Sequence, residues 1–232
     1  MAEIFPRAPL IETVFEIRFP ACLKIAENKS EFHEKVKKDF PEIFFPNYLV
    51  APEPFVGTLL FRFDSTDKSK SLQFSVSRFS YHDRKYRGYE GFAKEALKYV
   101  DLFCSTYKIA ELQRTGLRYV NHIPFLMEQN SIPLHRFLNV KYIYPESVGS
   151  KFSVVQNVIV THLGSGKLKI VIQNQTRPDG KPILLLDFDF SHEGELKSNE
   201  LKKYIADSHT HTKKVFLELI TEDYKKVIRG NS

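Results

Sequence analysis

The densest run of chemistry-bearing side chains is Arg78-Phe79-Ser80-Tyr81-His82-Asp83-Arg84-Lys85-Tyr86-Arg87-Gly88-Tyr89. Arg78, Arg84, Lys85 and Arg87 outweigh Asp83, and Tyr81 and Tyr86 stand among them. Cations neutralise phosphates while aromatic faces stack on bases, which is how a nucleic-acid single strand is held without sequence reading. The same composition also describes a strand-to-helix connection whose rings fold onto a core and whose cations stay in water.

A second set is scattered. Asp187 and Asp189 alternate with Leu186, Phe188 and Phe190, so both carboxylates share a strand face, about 7 Å apart. That pair suits a cation or a division of acid and base roles, and equally a solvated face. In Gly116-Leu117-Arg118-Tyr119-Val120-Asn121-His122, Arg118 and His122 share one face, a cationic pair able to meet a carboxylate or phosphate. Asn121 shares the other face with Leu117 and Tyr119 and needs hydrogen-bond partners if that face is core. His209 and His211 fall in a helical pattern, where two residues are about 200° apart and cannot chelate one metal. His211 interrupts the apolar stripe of that helix, which marks it as a satisfied core histidine or a pocket residue. Arg118, Asn121, His122, Asp187, Asp189 and His211 together form the candidate pocket of an enzyme reading. No residue in it stands out as catalytic. The chain has no nucleophile elbow, P-loop, dinucleotide fingerprint, zinc spacing or kinase signature, so no cofactor and no metal are expected.

These residues must be carried by elements that the patterning announces. Leu10 to Phe19 alternates as a half-buried strand. Ser30 to Phe40 reads as a short amphipathic helix stopped by Pro41, and Pro41 to Pro54 as a loop or irregular edge. Phe55–Asp64 and Leu72–Ser80 read as a hairpin, Tyr89 to Tyr107 as a helix and Leu112 to Ile123 as a strand. Ser131 and Pro133 start a brief helix. Strands follow at Phe152–Leu163, Leu168–Gln175 and Ile183–Phe190, with turns at Gly164-Ser165-Gly166 and Pro178-Asp179-Gly180. Glu195 to about Ile228 reads as one long helix. The expected fold is α+β: a mainly antiparallel sheet of about seven strands with helices on one side. Its N-terminal half is in ferredoxin-like order and a long C-terminal helix closes it. The whole of residues 1–232 is expected to form one domain, with a subdivision at 1–125 and 126–232 as the alternative.

The 232 residues carry a net charge of +6, with 20 Phe, 11 Tyr and no Trp. That composition excludes a disordered chain, and no apolar run reaches the roughly 20 residues that span a bilayer. The early Glu3 and Pro6 do not fit a signal peptide, and Cys22 and Cys104 match no metal or redox spacing. A cytoplasmic location without membrane attachment is expected.

Pro6-Arg7-Ala8-Pro9-Leu10-Ile11-Glu12-Thr13-Val14-Phe15-Glu16-Ile17-Arg18-Phe19 and Gly116-Leu117-Arg118-Tyr119-Val120-Asn121-His122-Ile123 carry a resemblance. So do Asp207-Ser208-His209-Thr210-His211-Thr212, Phe216, Leu219-Ile220-Thr221 and Tyr224. In these patches, spread over the whole chain, it resembles a sporadically distributed family of uncharacterised prokaryotic proteins. The resemblance implies an accessory role, such as mobile-element or defence cargo, and no activity or site residue. The function expected first is a non-enzymatic binding module whose partner is a macromolecule, protein or nucleic acid, with self-association compatible. Single-stranded nucleic acid bound through residues 78–89 ranks second. An enzyme with a pocket beside the C-terminal helix ranks third.

Overall fold

The two-residue alternation at the N-terminus becomes β1 (Leu10–Arg18), and the four-residue recurrence after it becomes α1 (Lys24–Glu27) and α2 (Lys29–Val36). The chain continues through β2 (Glu42–Phe44), β3 (Phe61–Asp64), β4 (Lys70–Ser75), β5 (Arg78–Asp83), α3 (Tyr89–Tyr107) and β6 (Leu112–Pro124). After α4 (Leu134–Phe137) and a 3-10 turn at Val140–Tyr142 come β7 (Gln156–Leu163), β8 (Gly166–Thr176) and β9 (Pro182–Leu196). Helices α5 (Leu201–Leu219) and α6 (Glu222–Arg229) end it. The structure is a computed structural model, and it describes residues 5–44, 61–145, 147, 149, 151–197 and 200–230.

The fold is α+β with a large, open, antiparallel sheet. Among the described residues nine strands follow one another in the order β2-β3-β4-β5-β1-β6-β9-β8-β7, two more than the seven expected. Within that order β1 lies between β5 and β6, the interleaving that a split βαβ plan demands, and β2 and β3 extend the sheet beyond it. One of the extra strands comes from Leu72–Ser80, which is two strands. The chain reverses at Val76-Ser77, between the paired Ser75 and Arg78, where neither Gly nor Pro signals a turn. Arg78–Asp83 is therefore strand, and the connection to α3 starts only at Arg84. At the other end β9 runs on to Leu196, so the closing helix begins at Leu201 and not at Glu195. That helix is also two helices, broken at Ile220-Thr221. Residues 55–60 of the expected Phe55–Asp64 strand, and most of the Pro41–Pro54 loop, lie outside the described residues.

The residues group into two compact units. One comprises Glu12–Leu117 with Ser191–Ile205, the other Met1–Ile11, Arg118–Phe190 and Ala206–Ser232. In the first, alternate residues of three strands form an apolar sheet face in register: Phe15 faces Tyr81, which faces Leu72, and Ile17 faces Phe79, which faces Phe74. Phe32 of α2 enters this face with its ring edge-on to Phe74, Phe79 and Phe103, at 5.6, 5.9 and 5.1 Å between ring centres. Edge-to-face rings at these separations add to the burial of the rings themselves. Cys104 of α3 is a free, half-buried thiol, pushed up to about 12 by burial and then by Asp101. In the second unit, Leu168, Ile170 and Ile172 of β8 and Leu184, Leu186 and Phe188 of β9 are buried, and Phe216 of α5 packs edge-on to Phe188.

Because Phe32 is fully buried among five other aromatic rings, Phe32→Ala should lower unfolding stability by about 3–5 kcal/mol in urea denaturation. A loss under about 1 kcal/mol would show that the cluster is not the core.

Candidate binding cleft

The second unit holds a cleft that a short hydrogen-bonded clamp shapes. Thr221 is the N-cap of α6: its Oγ1 accepts the Tyr224 N–H at 3.2 Å, and Glu222 and Asp223 occupy the first turn, where acids suit the helix dipole. The Thr221 N–H donates to the Phe137 carbonyl at 3.0 Å, and its hydroxyl donates to the Arg136 carbonyl at 2.9 Å. In return Asn139 donates from its backbone to Leu219 O at 2.8 Å. Its side-chain amide donates to Glu218 O at 2.7 Å and Ile220 O at 3.1 Å. The orphan carbonyls at the end of α5 are thus satisfied by a side chain from elsewhere, which is why the helix can stop there. Buried Leu138 and Ile220 bridge the same junction. The N-terminal segment joins this frame through the Arg7 N–H, 3.1 Å from Ile228 O, and through Pro9 O, which accepts the His122 N–H at 2.8 Å.

The walls so placed enclose about 1050 Å³. Leu10, Ile123, Phe137, Ile183, Tyr224 and Val227 make its apolar lining, and the Phe137 ring sits edge-on to Tyr224 at 5.4 Å. Arg7, Arg136, Arg177, His122 and His135 supply its basic groups, and Asp223 is the acid in the lining. Arg136 pairs with Glu128 at 2.6 Å, Arg177 with Asp179 at 3.1 Å, and Asp223 with Lys226 at 2.8 Å. Arg136 and Arg177 keep 62% and 47% of their side-chain surface in water. Exposed pairs of this kind contribute roughly 0–1 kcal/mol, so an incoming carboxylate can replace either acid at small cost. His122 is held below its usual range, by burial first and then by the Arg177 charge.

Of the residues singled out from the sequence, His122 lines this cleft. Arg118 and Asp187 come together as a two-pronged pair, with Nε at 2.8 Å and Nη2 at 2.7 Å from the two carboxylate oxygens. Asp189 is half-buried on the same face of β9 as Asp187. Asn121 is buried and donates to the Leu186 carbonyl at 3.1 Å, so its role is to tie β6 to β9. His211 lies flat over Phe190, 5.7 Å between ring centres, and Phe190 points to the opposite sheet face from Asp187. The six candidate pocket residues are therefore not gathered in one place. His209, two residues before His211, meets a different partner. His209 is hydrogen-bonded through Nδ1 to the Tyr119 hydroxyl at 2.8 Å, and burial, with Lys213, pushes its pKa down to about 4.

The basic-aromatic run lies in the first unit, where carboxylates meet most of its cations. Arg84 pairs with Glu12 at 2.8 Å, Lys85 with Asp67 at 2.8 Å, and Arg78 lies 3.7 Å from Glu16. Tyr81 has no exposed surface on which a base could stack, a correction to its expected role. Its ring packs on Tyr99 and Phe92, and its hydroxyl donates to Glu95, which also receives Lys70. Burial and this carboxylate raise the phenol far above its ordinary range. Tyr86 packs against Phe92, and Arg87 is exposed. Lys85, Arg87 and Asp83 line a second cleft of about 620 Å³, in which burial raises the Asp83 carboxyl. Among the described residues no group of three or more His, Cys, Asp or Glu is placed to hold a metal ion, and no helix is long and apolar enough to cross a membrane.

Sequence reading passed over Arg7, His135, Arg136 and Arg177. The signal that leads to them is Thr221-Glu222-Asp223-Tyr224, a cap with an acidic first turn inside an unbroken apolar stripe. Read as a helix start, it breaks the closing helix and leaves α6 free to wall a cleft.

The His209 shift has a definite sign. A histidine whose folded pKa lies below its unfolded value of about 6.5 supports the fold fully above pH 6.5, and the support is lost as pH falls toward 4. In NMR titration the His209 ring should stay neutral to a midpoint near 4, and Tm should fall less between pH 6.5 and 4 in His209→Gln than in wild type. A midpoint near 6.5 would contradict the buried Tyr119–His209 pair. No protein-family model matches this chain and no curated protein matches it, so its chemistry has to be read from the cleft itself.

Proposed function

We propose that the chain is a non-enzymatic binding module whose cleft takes an acidic, partly apolar peptide segment. The observation that carries this reading is the apolar lining of Leu10, Ile123, Ile183 and Val227 beside Arg136 and Arg177, whose present partners are exposed carboxylates. Guanidinium forks recognise carboxylates in two-pronged geometry, and the neighbouring hydrocarbon buries alternate side chains of an extended segment. A volume near 1050 Å³ is at the upper end for small-molecule pockets and suits a few peptide residues.

A peptide fits better than a nucleic acid. Asp223, Asp179 and Glu128 stand around the cleft and would repel a run of phosphates, whereas one or two carboxylates need only displace them. Tyr224 is buried, so its ring offers no open face for stacking. The peptide reading is preferred to an enzyme because His211 and Asp187 lie on opposite faces of β9.

The test is fluorescence polarisation with a fluorescein-labelled peptide of about eight residues that alternates Leu or Phe with Asp or Glu. Saturable binding is expected. Arg136→Glu with Arg177→Glu should weaken it at least tenfold, about 1.4 kcal/mol, while the double variant keeps its circular dichroism spectrum. No binding, equal binding by the variant, or tighter binding of single-stranded DNA would overturn the proposal.

A further inference from the structure

Among the described residues the sheet order ends on one side at β2 (Glu42–Phe44). At the other, β7 has eight residues, Gln156-Asn157-Val158-Ile159-Val160-Thr161-His162-Leu163. It contains no Lys, Glu, Asp, Pro or Gly, the residues that normally disrupt an open edge. Val158 and Val160 are 53% and 55% exposed, unusual for β-branched residues in the middle of a strand.

The ladder phase shows which groups this edge offers. Asn174 donates to Val155 O at 3.1 Å, and bonded pairs alternate along an antiparallel ladder. Asn157, Ile159 and Thr161 therefore bond inward to β8. Gln156, Val158, Val160 and His162 turn their backbone N–H and C=O groups outward.

We infer that this edge is a self-association site, at which a second copy of the chain adds its own β7 antiparallel about a two-fold axis at Ile159. In that register Val158 faces the partner's Val160, Val160 faces the partner's Val158, and Gln156 faces the partner's His162. Side chains keep the same face of the sheet on both sides of the axis, as antiparallel pairing requires. The outward groups form about eight backbone hydrogen bonds, and two Val–Val cross-strand pairs close over them. A second copy is favoured because the strand carries no charged side chain to repel its own image. Lys167 and Lys169 sit one strand inward, so the two sets are about 14 Å apart and largely screened at physiological salt. An interface of one strand per copy is small, so the association is expected in the micromolar range.

Sedimentation equilibrium across about 5–500 µM should show the mass rising from 27.0 kDa toward twice that value. Val158→Lys with Val160→Lys should weaken the association at least tenfold. Val160→Pro should do the same, since the N–H it removes points away from β8. Thermal melts followed by circular dichroism confirm that each variant is folded. A wild-type protein that stays monomeric over this range overturns the proposal, and so does a folded variant that still dimerises as wild type does. Because β7 does not line the peptide cleft, failure here leaves the binding reading intact, and the converse also holds.

Discussion

The cleft depends on one local constraint: the exchange of hydrogen bonds between residues 136–139 and residues 218–221. Five bonds between 2.7 and 3.1 Å link a turn after a one-turn helix to the break between two longer ones. Each such bond contributes on the order of 1 kcal/mol net. Asn139 alone donates to three carbonyls, those of Glu218, Leu219 and Ile220, which a continuous helix would pair with its own N–H groups instead. The same bonds fix the direction in which α6 leaves, and Tyr224 and Val227 become walls because of it.

Charge is distributed by the same logic of local satisfaction. The first unit carries conspicuous cations, but β1 supplies Glu12 and Glu16 on its polar face. Glu16 alone receives Arg18 at 2.8 Å and Arg114 at 2.9 Å. Such pairs are partly exposed and hold side chains in place more than they hold the fold together. Around the second unit's cleft the arginines answer to acids from short turns, Glu128 and Asp179, which are themselves 39% and 40% exposed. An arginine in the first setting already has a sheltered partner; one in the second can change partners.

Much of this architecture was legible from periodicity. The alternation through Phe15 and Ile17 placed the buried face of β1, and the spacing of Phe92, Ala96, Val100 and Phe103 placed α3. What failed were the features that depend on groups distant in sequence. Val76-Ser77 turns because β5 finds a partner on each side, not because of its own turn chemistry. The break at Ile220-Thr221 needs Asn139, about 80 residues away, to satisfy the carbonyls it exposes. Helical phase misled in a similar way, since only the strand facing α5 decides that His209 meets Tyr119 while His211 meets Phe190. The basic-aromatic run looked like a ligand surface because composition cannot show that Glu95 waits beneath Tyr81.

The most direct test of a peptide-binding cleft is where a ligand touches the protein. In ¹⁵N–¹H correlation spectra of the labelled full-length chain, titration with the acidic Leu/Phe peptide should shift the amides of Arg7, Ile123, Phe137 and Val227 together, with one saturation curve. Shifts confined to residues 78–89, or no saturable shifts at all, would contradict the account.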